Sequence, residues 1–318
     1  MKERFITGAM ILFVVALMFL TKIIMNVTWI FDVFIVLILI ISAFETSRIF
    51  KKIGLFNHEW LVAVFPLLLY GLIILCIQLQ LAFYWFIIYA IALLFVLAIV
   101  SFVISLATKN RTTSEIRIRG MRYSFIRFSF NKAGNTLVSM IYPTVSMILL
   151  VVLNHIEEMS YAFSNVSGFE GNLSIILLAV AFIIPFIADT FAYLSGSLFG
   201  GKKLCPRISP IKTVSGAIGG VVWTIIFLVV LFLIFSADTS LTSVFVGLGL
   251  QWWHWIILGF VGAIACIYGD LFESYLKRKA EIKDSSDILP GHGGLLDRID
   301  SFAFSTPIVF IFFLFFII

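Results

Sequence analysis

The sequence predicts an all-α, polytopic membrane protein of about nine transmembrane helices, with its N-terminus inside and its C-terminus outside. Three observations lead there. Hydrophobic residues fill 62% of 318 positions and charged residues only 12%, with a mean hydropathy of +1.13. A soluble domain is nearer half apolar and a quarter charged. The apolar residues gather into stretches of about 20, the length a helix needs to cross a bilayer. Those stretches lack the period-two alternation of a membrane β-barrel.

Nine of them follow one another, near residues 5–25, 30–49, 60–79, 82–107, 135–154, 173–199, 215–236, 246–268 and 298–318. The first has a basic start, a long apolar run and no small-residue cleavage site, so it reads as a retained span. The last is short but just long enough at about 1.5 Å per residue. Lysine and arginine accumulate on the cytoplasmic side of membrane proteins. With the N-terminus inside and the helices alternating, every one of the 22 basic residues except Lys22 falls inside. The outer segment 155–172 carries Glu157, Glu158 and Glu170 instead. The net charge of +5 is therefore a positive face laid against anionic lipid.

The chain reads as one integral membrane unit in two parts. Residues 1–134 hold helices one to four and a basic cytoplasmic loop, and residues 135–318 hold helices five to nine and the chemistry. Within the loop, RTTSEIRIRGMRYSFIRF sets arginines beside aromatics, a composition suited to an interfacial amphipathic segment as well as to a plain topology signal. Cys76, Cys205 and Cys266 are scattered, as are His58, His155, His254 and His292. Neither a disulfide framework nor a zinc site is indicated.

Polar chemistry concentrates in the second part. Asp189 lies within the apolar sixth span, a position that costs about 2.5–3.5 kcal/mol on insertion scales and that usually faces a polar cavity. Just beyond come glycines among Lys202, Lys203, Arg207, Ser209, Lys212 and Thr213, a weak phosphate-binding signal without Walker A spacing. If the eighth helix continues past the apolar run, Asp270, Glu273, Ser274 and Lys277 share one face. Asp297 and Asp300 share another at the start of the ninth. Two carboxylate-bearing helix ends joined by the turn Pro290–Gly294 suit a hard ion such as Mg²⁺ together with a polyanion.

The run SYLKRKAEIKDSSDILPGHGGLLDRID, from Ser274 to Asp300, resembles the signature of the phosphatidate cytidylyltransferase (CDP-diacylglycerol synthase) family. Its fixed positions are matched by Ser274, Lys277, Arg278, Lys283, Asp284, His292, Gly293, Gly294, Asp297, Arg298 and Asp300. The stretch from Asp189 to Gly220 is similar to that family's second block, with its D-T-x-A-Y, F-G-x-x-K-L, P-x-I-S-P and K-T elements. The likeness covers roughly the C-terminal 130 residues, and it breaks at one place. Where the family has K-T-W-E-G, this chain has Lys212, Thr213, Val214, Ser215 and Gly216.

The resemblance implies cytidylyl transfer from CTP to phosphatidic acid, giving CDP-diacylglycerol and pyrophosphate, at the cytoplasmic face of the cell membrane. It implies Mg²⁺, with a second cation allowed, held by Asp270 and Asp297. Asp300, Lys277, Arg278 and Lys283 join those two as catalytic residues. The residues expected to bind substrate are Ser274, Asp284, His292, Gly293, Gly294, Arg298, Asp189, Ser209, Lys212 and Thr213. CTP, phosphatidic acid and membrane lipids are the expected partners, a homodimer is compatible, and nucleic acid is not expected. Two alternatives stand beside this reading: a transporter or channel with Asp189 in its pathway, and a cytidylyltransferase acting on a different lipid phosphate. The absence of an internal repeat and the gathering of polar residues at one face speak against transport.

Overall fold

The computed structural model describes residues 2–25, 27–81, 83–107, 115–118, 121–159, 172–237, 248–289 and 293–317. Among them the chain runs α1 (Lys2–Met25), α2 (Trp29–Ile53), α3 (Glu59–Gln78) and α4 (Phe83–Ala107), then the hairpin β1 (Glu115–Ile118) and β2 (Met121–Ser124). It continues through α5 (Phe125–Met140), a single π turn (Ile141–Val145), α6 (Leu149–Asn154), α7 (Asn172–Phe199), the hairpin β3 (Lys203–Cys205) and β4 (Ser209–Thr213), and α8 (Val214–Ala237). It closes with α9 (Trp252–Lys279) and α10 (Leu296–Ile317).

Eight helices among the described residues are long and apolar enough to cross a membrane, and Phe13–Met25 of α1 adds a shorter apolar stretch. The multi-pass membrane fold read from composition is the fold found. Three details differ from the reading. The basic segment expected at the interface is the β1–β2 hairpin followed directly by α5, with residues 108–114, 119 and 120 outside the described ones. Helix α5 covers residues 134 and 135. The helix then breaks at Tyr142 (φ −103°, ψ 126°), so the fifth span is α5, the π turn and α6 in series. The eighth span is described from Trp252 and extends to Lys279, eleven residues beyond the apolar run, because nothing stops the helix until Ala280 and Glu281.

Helix α7 is the axis of the C-terminal part. Leu173, Leu177, Val180, Ala181, Ile184 and Ala188 recur at three- and four-residue spacing and are buried. Helices α8, α9 and α10 pack against it. The α7–α8 approach is backbone-close: a Cβ on Gly216 would stand 2.6 Å from the Ala192 carbonyl oxygen, so only glycine admits this crossing. Outer faces stay apolar. In α4, Ile87, Ile91, Phe95 and Ile99 are exposed, which is what a lipid-facing helix requires.

One polar seam ties the N-terminal helices at the same end as the 280–295 loop. Ser47 Oγ donates to Asn57 Oδ1 (2.7 Å), and Asn57 Nδ2 donates to Ser139 Oγ (2.7 Å). The His58 backbone N–H donates to Thr136 Oγ1 (3.1 Å). Hydrogen bonds in apolar surroundings lock α2 to α5 and bring Glu45, two residues before Ser47, up to that loop.

Candidate functional site

The last turns of α9 project Asp270, Glu273, Ser274 and Lys277 on one side. Ser274 Oγ donates to Asp270 Oδ1 at 3.3 Å. Lys277 Nζ donates both to Glu273 Oε2 and to Asp297 Oδ1, each at 2.7 Å, and so bridges α9 to the start of α10. Lys212, at the end of the β3–β4 hairpin, forms an ion pair with Asp270 Oδ2. Arg278 Nε donates to the Ile208 carbonyl at 3.2 Å, pinning that hairpin beside α9. The expected second block and the expected signature thus meet in space.

Asp297 is almost completely enclosed. Its Oδ2 accepts the backbone N–H of Ser285 (3.0 Å) and of Gly294 (2.8 Å), while Oδ1 faces Lys277. The carboxylate closes the loop onto the first turn of α10, where it also favours the positive end of the helix. Asp300 lies one turn deeper and is buried, its Oδ1 accepting the Ser301 N–H at 2.7 Å. Asp189 keeps accessible surface while Ser301, Asp270, Lys212 and Arg298 stand around it.

Other expected residues have different surroundings. Thr213 Oγ1 accepts the Gly216 N–H at 3.1 Å, which makes Thr213 the N-cap of α8. Ser215 Oγ donates to the Gly200 carbonyl and stands 3.1 Å from Thr213 Oγ1, fastening the turn at Gly200. Ser209 starts β4 opposite Cys205. Lys283 and Asp284 are exposed on the loop, and Arg298 is exposed on α10. His292 lies outside the described residues.

Gly293 and Gly294 answer to the carboxylates that hold the loop. Gly293 has φ +79°, and a Cβ there would meet Asp297 Oδ2 at 2.5 Å. A Cβ on Gly294 would stand 2.0 Å from Ser285 Oγ and 2.6 Å from Glu45 Oε1.

Three groups in this cluster escaped sequence reasoning. Glu45 of α2 accepts four hydrogen bonds from the loop and the start of α10. Glu273, seen in the sequence only as sharing a face, is buried. Tyr142 of the π turn packs its ring edge-on to Phe272 at 5.0 Å, within electrostatic reach of Glu273, Asp300, Asp297 and Asp270. Glu273 Oε1 and the Tyr142 hydroxyl are both buried without a hydrogen-bond partner. A buried polar atom left so costs about 1–3 kcal/mol, and more when charged. Glu45 did carry a signal, since an acid inside an apolar helix is the same anomaly that marked Asp189. Tyr142 carried none.

Chemically, the cluster is oxygen-rich, and it sits beside two lysines: Lys212 pairs with Asp270, and Lys277 stands between Glu273 and Asp297. No three His, Cys, Asp or Glu side chains stand together as a ready metal cage among the described residues. Mg²⁺ needs no such cage: it is held through one or two carboxylates plus substrate phosphates and waters. The all-oxygen donor set and the orphaned oxygens fit that hard ion.

Comparison with known proteins agrees with this chemistry. A family model described as "Cytidylyltransferase family" matches residues 2–316. A phosphatidate cytidylyltransferase of Haemophilus influenzae is 36% identical over 185 residues, covering 57% of this chain and 56% of that protein. One from Staphylococcus saprophyticus is 34% identical over 183 residues, covering 58% and 60%. One from Staphylococcus aureus is 43% identical over 132 residues, covering 41% and 45%. These matches span about half the length of the curated relatives. The family match, by contrast, runs through both the N-terminal helices and the loop that Glu45 and Asp297 hold. The chain belongs to the cytidylyltransferase family.

Proposed function

We propose that this membrane protein transfers the cytidylyl group of CTP to phosphatidic acid, releasing pyrophosphate, at the cytoplasmic face of the cell membrane. The observation that carries the reading is the meeting of Lys212–Asp270 and Lys277–Asp297 at the mouth of α9 and α10. A phosphate monoester has its second pKa near 6, so the attacking oxygen of phosphatidate is largely ionised at neutral pH. No strong base is needed. The bond that forms joins that oxygen to the α-phosphorus of CTP, and the bond that breaks leaves its electron pair on pyrophosphate.

The work left to the protein is to hold two polyanions in line and to meet the charge that develops. Lys212 and Lys277, ion-paired here with Asp270 and Asp297, would meet phosphate oxygens, with Lys283, Arg278 and Arg298 on the exposed rim. Asp270 and Asp297 would hold Mg²⁺, with Asp300 behind them. The ion would supply charge neutralisation at the reacting phosphates. Asp297 keeps the loop closed meanwhile, and Asp189 stands near Asp270.

The direct test is CTP-dependent pyrophosphate release by purified protein supplied with phosphatidate and Mg²⁺, with the labelled liponucleotide followed in parallel. Release without a lipid product, or none with any phosphatidate or polyprenyl phosphate, would overturn the reading. Orientation is tested with tags: those at the N-terminus and in the 280–289 segment should be cytoplasmic, and one after Ile318 external.

A further inference from the structure

Glu45 lies on α2, some 240 residues from the loop it touches, in a part of the chain that the signature does not reach. Its carboxylate is buried, 1% exposed. Oε1 accepts from the Leu295 N–H (3.1 Å) and Ser286 Oγ, while Oε2 accepts from the Leu296 N–H (2.6 Å) and Ser285 Oγ (3.3 Å). Each oxygen thus takes one backbone N–H from the start of α10 and one hydroxyl from the entry of the loop. Asp297 does the same work from the other side, through Ser285 N and Gly294 N. The loop between α9 and α10 is clasped by two carboxylates, one from each part of the chain.

We infer that Glu45 is a positioning residue for the reaction: it fixes the α9–α10 loop, and through it Asp297 and Lys277, in the arrangement that meets the nucleotide phosphates. The inference rests on the cytidylyl-transfer reading for its kinetic consequence and on the geometry alone for its structural one. It makes the N-terminal helices part of the site, where the sequence shows them only as spans. The chemistry requires a carboxylate. In glutamine, one of the two oxygens becomes an NH₂, and whichever way the amide turns, that NH₂ faces a backbone N–H of Leu295 or Leu296. Donor meets donor, and the clasp opens on one side. Aspartate keeps both acceptors on a stem shorter by one methylene.

The test compares wild type, Glu45→Gln, Glu45→Asp and Ser286→Ala in lipid nanodiscs, with three readouts. Amide exchange should quicken about ten- to a hundredfold at Ser285 and Leu295–Leu296 in Glu45→Gln, the factor set by losing a hydrogen bond to a charged acceptor. The rest of the bundle should exchange as in wild type. In the CTP and phosphatidate assay kcat should fall by a similar factor, with a smaller change in the KM for CTP, because a misplaced loop loses contacts made at the transition state. Glu45→Asp should recover part of both, and Ser286→Ala should show both effects weakly. If Glu45→Gln does not fold, Ser286→Ala and Glu45→Asp decide the matter in the same two readouts. Wild-type exchange at the loop in the folded variants would overturn the inference, as would exchange raised evenly over all helices with kcat per folded molecule intact. If the wild type itself makes no liponucleotide, the proposed activity falls, and the exchange pattern still decides whether Glu45 holds the loop.

Discussion

Helix α2 carries a buried acid near each end, Asp32 and Glu45, thirteen residues and so about 20 Å apart. Around Asp32 the chemistry is closed. Asn154 Nδ2 (2.8 Å), His155 Nε2 (2.7 Å) and the Tyr70 hydroxyl (3.3 Å) converge on its carboxylate. Lys22 Nζ donates to Asn154 O and Oδ1, and His155 Nδ1 pairs with Glu158 at 2.9 Å. Two cations face two carboxylates, and each side chain has its partner. The Glu45 end is open by comparison. There Asp189, Asp270, Glu273, Asp297 and Asp300 gather around Lys212, Lys277 and Arg298, and among the described residues Glu273 Oε1 and the Tyr142 hydroxyl are left unpartnered. Both ends bury charge in an apolar bundle, which is stable only when that charge is matched. The matched end is a clamp for α1, α2, α3 and α6. On the proposed reading, the unmatched end would be completed by its ligands: a cation for the carboxylates and phosphates for the lysines.

The largest effect that would sharpen this contrast is expected at the open end. Asp270→Asn and Asp297→Asn should each lower turnover about a hundred- to a thousandfold, the scale on which loss of one preorganised electrostatic partner acts. They should differ in a second measurement. Asp297 holds two loop N–H groups, so its variant should speed amide exchange at Ser285 and Gly294. Asp270→Asn should leave the loop as it is. Asp300→Asn should be hurt less than either. Glu281→Gln and Asp287→Asn, exposed on the loop, should stay within about twofold of wild type. Turnover surviving in Asp270→Asn would remove the metal assignment.

At the closed end the expected loss is of stability. Burial works against charge on His155, yet its hydrogen bonds to Asp32 and Glu158 prevail and hold its pKa up to about 9. A pKa raised in the folded state stabilises in full below the unfolded value near 6.5, and the contribution is lost as pH rises through about 9. That amounts to something on the order of 3 kcal/mol. The His155 hydrogen bond in turn draws the Glu158 carboxyl below its usual range, despite burial; this smaller contribution fades as pH falls through the acid range. His155→Ala should therefore lower the melting temperature at pH 6 and approach wild type near pH 9.5, with kcat per folded molecule preserved. A variant that melts normally but turns over slowly would break the division between clamp and site.

How much of this was legible follows the same division. The spans were legible because burial in lipid demands about 20 apolar residues whatever they pack against. The signature from Ser274 to Asp300 singled out Lys277 and Asp297, the second block Lys212, and helical spacing Asp270; residue type and local spacing sufficed to pick the four side chains that the fold brings together. What stayed hidden were contacts across the fold. Glu45 and Tyr142 join the cluster only where α2 and the π turn are laid against α9 and α10. Thr213 and Gly294 were legible as important but not in kind: the first caps a helix, and the second makes room for two carboxylates. The network at Asp32 was invisible for the same reason, its members being scattered from Lys22 to Glu158.

The smallest expected effect tests the position where the likeness in the second block breaks. Ser215 occupies the second residue of α8, and its hydroxyl ties the Gly200 carbonyl to the helix start. Ser215→Glu removes that neutral hydrogen bond, a loss of about 1 kcal/mol. It also sets a negative charge in the first turn of a helix, which favours the fold by about 0.3–1 kcal/mol. The two nearly offset, so the melting temperature should barely move. The new carboxylate cannot face the Gly200 carbonyl oxygen and must turn outward, towards the rim that carries Lys202 and Lys203. If this chain merely lacks the acid of the K-T-W-E-G pattern it otherwise resembles, kcat/KM for CTP should hold or rise by up to about threefold. A drop of tenfold or more, at unchanged stability, would mean that the Ser215–Gly200 link shapes the phosphate face here. The β3–β4 hairpin would then belong with the open end of the molecule and not with its scaffold.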